Sequence, residues 1–434
     1  MKTAGAFLVI SLVVYLSNWR TINAGDTQPA SLLPIALMLH GSIDLSMFEQ
    51  HYRNDPTNSA FFMHTERGYF SRYPLASGIL AVPIYAVPVF LLKAIKQPTP
   101  DDWIKVAVVM EKISGALVTS LSVGVFWFVA RALGAGRRCA AALTIAYAFG
   151  SEAWTISSQA LWMHGPGELF ILLSILLSLR LREAPTARKA LLVGLCCGIA
   201  IVIRINNVLF VAPLLCWILI RNLYSFFWCM VPVLIVGTLL VVYNHAMFGS
   251  LTGAYSGGAG FNEPLLNGLT GLLFSPGRGL LVYFPIAVFS IAWPFFAAQT
   301  KGIYLALSAF VLFNVILVGK WVAWYGGWCY GPRLLTETQP ILLLLIVPVW
   351  SAISSSRLAL LAFSSCLVWS IAIQALGAFR QSNWDFEPKN IDYSRERLWN
   401  WADNPVSRAI QSPVAKSPWP SVKIIQLFLE EHKQ

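Results

Sequence analysis

Charge is the scarcest feature of this sequence. Asp, Glu, Lys and Arg make up 12% of the 434 residues, about half the share in an ordinary soluble domain. That deficit excludes a water-soluble globule. The seven cysteines form no CxxC pair, and Cys196, Cys197, Cys216, Cys229 and Cys366 lie inside apolar runs. Neither a disulfide framework nor a thiolate zinc site is indicated. The six histidines show no HxxxH spacing, and no DxD occurs in the loops read below as external, so no metal or other cofactor is expected. Internal repeats, low-complexity tracts and a strand-preceded GxGxxG are also missing. No Lys/Arg-dense segment grips nucleic acid, so the net charge of +11 reads as basic loops on one side of a membrane.

What is present is hydrophobic length. Hydrophobic residues make up 57% of the chain, and its mean hydropathy is +0.64. Apolar runs fall near 4–18, 74–95, 104–132, 139–150, 165–180, 189–205, 207–220, 225–243, 279–298, 302–320, 336–352 and 356–378. Most run to roughly 15–25 residues, the length of membrane-crossing helices rather than of alternating barrel strands. Without an Ala-x-Ala pattern after Ala4–Leu16, the first run is expected to be an uncleaved span rather than a signal peptide. Pro74, Pro83 and Pro88 are expected to break 74–95 into short, non-spanning pieces. With that run left out, Arg131, Arg137, Arg138, Arg180, Arg182, Arg188, Lys189, Arg221, Lys301 and Arg357 all fall inside. The expected architecture is an all-α polytopic bundle over 1–378 with about eleven spans, N-terminus inside and C-terminus outside. Residues 19–103 form an outer loop with juxtamembrane helices. Residues 379–434 form a short external tail, whose Trp384, Trp399 and Trp401 suit an interfacial perch.

This sidedness gathers the polar residues at one face. Asp26 lies in a Gly25-Asp26-Thr27 turn a few residues past the first span, ahead of an apolar helix at Ser31–His40 lying in the interface. Asp44, Glu49 and Glu66 read as an ordinary solvated loop, and Arg72 opens the proline-rich run at headgroup level. In Ser151–Gly167, His164 stands at a helix start, where an imidazole can donate to a bound anion. Glu168 is either an intramembrane carboxylate or a snorkelling one. Arg204, with Asn206 and Asn207, sits at a tight outer turn or within the bundle. Arg278, in Phe274–Gly279, stands at the mouth of the next run. Trp321–Arg333, WVAWYGGWCYGPR, is the most distinctive stretch. Its glycines point to a shaped loop, its Arg333 offers a phosphate a bidentate fork, and Glu337 can orient that arginine. One or two external acids among several external arginines suit cleavage of a lipid phosphoester or phosphoacetal, with a carboxylate deprotonating an incoming hydroxyl.

At these residues the chain resembles the glycosyltransferase-C superfamily, polytopic enzymes that use polyprenyl-phosphate-linked sugars. The closest likeness is to family-39-like transferases, akin to protein O-mannosyltransferases and the lipid A aminoarabinose transferase. It rests on Gly25-Asp26-Thr27, Tyr73-Pro74-Leu75, Val129–Gly136, Trp162–Pro166, Phe274–Gly279 and Tyr325–Arg333, in that order along most of the chain. The resemblance implies inverting transfer at the external face of a bacterial inner membrane, with Asp26 as general base. Arg72, His164, Arg278, Tyr325, Arg333 and Glu337 would serve the lipid-linked donor, and a glycan, lipid or protein would be the acceptor. Two departures stand out. Relatives often carry Asp-Glu where this chain has Asp26-Thr27, so a second carboxylate comes from elsewhere or is not needed. Many have Lys-Pro-Pro where this chain has Arg72-Tyr73-Pro74. The alternative function is a transporter or flippase of a lipid-linked or anionic solute. Its usual matching halves and mid-membrane polar residues are not found.

Overall fold

The computed structural model describes residues 1–53, 60–251, 253–256, 260–297, 301–380 and 382–414. The end of the expected tail, 415–434, lies outside the described residues. The chain is a membrane-type helical bundle. In order it runs α1 (Lys2–Leu16), α2 (Gln28–His40), an antiparallel hairpin of β1 (Phe62–Thr65) and β2 (Gly68–Ser71), α3 (Ala76–Ile95), α4 (Pro100–Ala132), α5 (Arg137–Gly150) and α6 (His164–Glu183). It continues through α7 (Ala187–Ile203), α8 (Val208–Arg221), α9 (Leu223–Phe248), α10 (Leu265–Phe274), α11 (Lys301–Lys320), α12 (Thr338–Leu345) and α13 (Arg357–Phe379). The hairpin is a small departure from an all-α chain.

Among the described residues, seven helices are long and apolar enough to cross a membrane, fewer than the eleven expected. Six of the expected runs qualify. Three others, in α1, α5 and α8, make helices of only 14 or 15 residues, and α7 has 17. The run 279–298 does not form one helix. Pro285 and Pro294 lack the amide hydrogen, and the segment breaks into Leu280–Tyr283, a 3-10 stretch at Pro285–Ala292, and Trp293–Phe296. The seventh qualifying helix is α3, which was expected to be broken. It is continuous over 20 residues with Pro83 and Pro88 inside it. The carbonyls those prolines leave unbonded cost less than the helix gains by packing Ala81, Tyr85, Val89 and Leu92 into a core.

Two cores divide the molecule. The larger joins α4 to α13 through residues such as Phe126, Tyr147, Ile175, Val193, Phe210 and Leu343. Close backbone approach at small residues holds it together, as is usual where lipid supplies no hydrophobic drive. A Cβ on Gly194 of α7 would come within 2.0 Å of the Cys229 carbonyl on α9. The second core joins α2, the hairpin, α3 and the start of α4 through Leu32, Ile35, Phe62, Tyr85 and Trp103. Helix α2 is therefore not simply laid on an interface, because Pro29–Ala36 are all buried.

α1 fixes where the second core stands. The Phe7 ring lies 5.5 Å from Trp127, so α1 runs antiparallel to the second half of α4. Just past its end, Thr21 donates to the Val108 carbonyl at 2.7 Å and Asn23 to Glu111 at 2.6 Å. The chain between residues 23 and 111 thus leaves one end of the bundle and returns to it. α4 begins with a capping box between Thr99 and Asp102. Its first turns project past the bundle and carry α2 and α3 there.

Candidate active site

Four segments from distant parts of the chain converge at this end. The Asp26 turn is a 3-10 turn over Gly25–Thr27, pressed against the hairpin. A Cβ on Gly25 would sit 1.7 Å from the Phe61 ring. Asp26 accepts from Arg333 Nη1 at 2.8 Å through Oδ2, and both side chains are 13% exposed. Its other oxygen, Oδ1, is buried with no hydrogen-bond partner among the described residues. Glu111 of α4 is buried beside this turn, accepting from Asn23 and, at 3.0 Å, from Thr27 Oγ1. A second carboxylate therefore adjoins Asp26 from α4. Sequence reasoning missed it, although Glu111-Lys112 interrupting the run 104–132 was the available signal. Lys112 is also fully buried, donating to Gln159 at 2.7 Å.

Arg333 lies over the Trp162 ring at 4.7 Å and donates to the Gly326 carbonyl at 2.7 Å. Behind it, Glu337 is fully buried between Arg204 Nη1 at 2.6 Å and His164 Nδ1 at 3.1 Å. The α7–α8 break thus turns Arg204 inward, where α7 ends at Ile203 and a 3-10 turn follows. His164 and Glu337 are brought together, but Glu337 orients Arg204 and His164 rather than Arg333. Glu168 is buried on α6 beside Tyr147 and Ser157, away from the solvent that snorkelling requires.

Glu152, which lies within Ser151–Gly167 but does not stand out in the sequence, is a further buried acid. Its Oε2 lies 2.9 Å from the Thr336 hydroxyl and 3.1 Å from Gln339 Nε2, and Oε1 has no partner among the described residues. Burial pushes its carboxyl up to about 8 against the pull of Thr336 and Arg278. Gly331 makes room for it, with φ +74° and only 2.3 Å from a would-be Cβ to Oε1.

Arg278 and Tyr325 act differently from the expectation. Arg278 is fully buried, donating to the carbonyls of Tyr325 at 3.0 Å, Gly277 at 2.8 Å and Gly327 at 3.0 Å, and pairing with Asp385. Tyr325 donates to Asp392 at 2.7 Å. Both stitch the Trp321–Arg333 loop to the tail. Trp384 belongs to the same joint. It is 1% exposed and stacked under Arg278 and Arg397, not perched at a surface as are Trp399 and Trp401. Arg72 is exposed, its Nε donating to the Phe62 carbonyl at 3.0 Å. Its backbone amide donates at 3.1 Å to the carbonyl of Phe61, whose ring packs on Gly25. Among the described residues no group of three His, Cys, Asp or Glu could hold a metal ion.

Chemically, this end offers one half-bonded carboxylate, two inward guanidiniums, an imidazole and four further buried acids, Glu111, Glu152, Glu168 and Glu337, around an aromatic floor. Compared with known proteins, the chain matches no family model and no curated sequence.

Proposed function

We propose that the chain is an integral-membrane inverting glycosyltransferase. It moves a sugar from a polyprenyl-phosphate donor to an acceptor hydroxyl at the external face of a bacterial plasma membrane. The observation that carries this reading is the Asp26–Arg333 pair, in which one carboxylate oxygen is held by the guanidinium and the other is unbonded. A carboxylate so held is oriented and still able to accept a proton.

Asp26 removes the acceptor proton as the acceptor oxygen attacks the anomeric carbon from the face opposite the phosphate. The anomeric carbon–oxygen bond to phosphate breaks with inversion, and polyprenyl phosphate leaves with the electron pair. Arg333, with Arg204 and His164 behind it, stabilises the charge gathering on that phosphate. Glu337 orients the latter two, and Arg72 meets the lipid at the mouth. Arg278 and Tyr325 are positioning residues that shape the loop presenting Arg333. Helix length is compatible with the same reading. From Lys112 to Ala132, α4 has 21 residues left after its projecting turns, about 31 Å of helix, against a hydrocarbon core of about 30 Å. That length leaves α2 and α3 beside one face of the hydrocarbon, the face this reading takes as external.

The test is Asp26→Asn, which keeps the shape and the hydrogen bond from Arg333 but cannot take a proton. Transfer from polyprenyl-phosphate sugar should fall about a hundred- to ten-thousandfold with melting temperature little changed. Unimpaired transfer by the folded variant removes Asp26 as the base.

A further inference from the structure

Glu111 takes no part in the proposed transfer, yet its bonds end on both sides of the base. It is 1% exposed, in the turns of α4 that project past the bundle. Asn23 Nδ2 donates to its Oε1 at 2.6 Å, and Thr27 Oγ1 lies 3.0 Å from its Oε2. Asn23 precedes Asp26 and Thr27 follows it, so one carboxyl spans the turn. Ahead of the turn, the Ile22 amide donates to the Gln159 carbonyl at 3.1 Å, and Trp162 Nε1 donates to the Ile22 carbonyl at 3.1 Å. Past Ile22, Glu111 ties the chain to α4.

Ionised, Glu111 would accept from both partners; protonated, it accepts from Asn23 and donates to Thr27. The bond pattern favours the second state. The Thr27 hydroxyl has one hydrogen, and two oxygens stand 3.0 Å from it, the Ala24 carbonyl and Glu111 Oε2. One hydrogen cannot serve both. Both contacts are hydrogen bonds only if Thr27 donates to Ala24 and Glu111 Oε2 donates to Thr27. The surroundings agree. Glu111 enters no ion pair among the described residues, whereas Asp26 has Arg333. The titratable groups facing Glu111 are Asp26, Tyr52 of the short helix Glu49–Arg53 and Tyr85 of α3, with the Leu161 amide alongside. Lys112, its neighbour in sequence, is turned to Gln159. Where two carboxyls adjoin and one has the cation, the other holds the proton.

We propose that Glu111 is a positioning residue for the Asp26 reaction: as a neutral acid it clamps the base's turn to α4 from both sides, without adding a second negative charge there. The inference rests on the reading of Asp26 as the base. It also fits the donor, since a second bare carboxylate would repel an anionic phosphate docking beside Arg333.

Infrared difference spectra of the full-length protein in nanodiscs, wild type minus Glu111→Gln at neutral pH, test the charge without any substrate. The carbonyl band of a protonated carboxyl is expected, and it should persist in an Asp26→Asn background. An ionised carboxylate band in its place overturns the proposal. Transfer from a polyprenyl-phosphate sugar tests the role. Glu111→Gln keeps one donor and one acceptor, so its kcat should stay within about twofold of wild type. Glu111→Ala removes both and should lower kcat about a hundredfold with KM for the donor little changed, the cost of displacing a reacting group by about 1 Å. Thr27 gives the same comparison from the other end of the bond, with Thr27→Ser close to wild type and Thr27→Val impaired. Glu111→Gln as slow as Glu111→Ala, or Thr27→Val as fast as Thr27→Ser, overturns the clamp. Full activity in Asp26→Asn would instead remove the base, and the positioning role with it, while leaving the infrared result standing.

Discussion

At the scale of single residues, the site works by withholding solvent from acids that sit next to arginines. Glu152 shows what this implies for pH. Burial holds its carboxyl at about 8, above the ~4.3 of an unfolded chain. Between those values the folded protein keeps a proton that the unfolded chain has lost. Stability should therefore fall as pH rises from about 4 to about 8 and level off above. Glu152→Gln carries the neutral shape at every pH, so it should remove the part of that decline that Glu152 contributes while matching wild type at low pH. Thermal melts across pH 4–9 check it, and parallel profiles for the two proteins count against a buried, protonated Glu152. Asp26 and Arg333 were legible in the sequence because each stands in a short polar turn beside an apolar run. Glu111 was not, because an acid inside such a run gives no sign of which neighbours will bond it. Its partners Asn23 and Thr27 are 88 and 84 residues away.

At the scale of elements, the Trp321–Arg333 loop is the piece whose shape matters most. Sequence pattern identified it as shaped, but what shapes it comes from elsewhere. Arg278 spends its donors on three carbonyls and Asp385, so its charge is committed to the fold. Arg278→Ala should cost about 3–5 kcal/mol by stranding Asp385. Arg278→Lys should recover little of this, because a lysine's compact donors cannot reach the same set of acceptors. Chemical denaturation measures both. A well-folded Arg278→Ala that loses only lipid affinity would return the residue to phosphate binding. The same limit explains the misread helices. Proline content predicted a broken α3, yet tertiary packing keeps it whole, whereas Pro285 and Pro294 do break 279–298. The residue type is the same in both places, and the local packing decides.

At the scale of the whole molecule, hydropathy revealed a multi-pass helical bundle, and its boundaries agree closely for α4, α6, α9, α11 and α13. Span number was the weak point, because helices of 14–17 residues are apolar enough to resemble spans without the length to be unambiguous ones. Sidedness is tested by labelling. In a cysteine-free background, Asp26→Cys and Arg182→Cys should react with an impermeant maleimide from opposite sides, position 26 only from outside. Labelling of position 26 from the cytoplasm alone would overturn both the topology and the proposed reaction.

The central claim is that a polyprenyl phosphate rests against Arg333 beside Asp26. Native mass spectrometry of the purified protein, supplied with polyprenyl phosphate, addresses it directly. Wild type should hold the lipid as a stable adduct, and a folded Arg333→Gln should bind it about 10- to 150-fold more weakly, for the ~1.5–3 kcal/mol of a charged hydrogen bond. No adduct on wild type at saturating lipid, or equal retention by Arg333→Gln, would contradict the account.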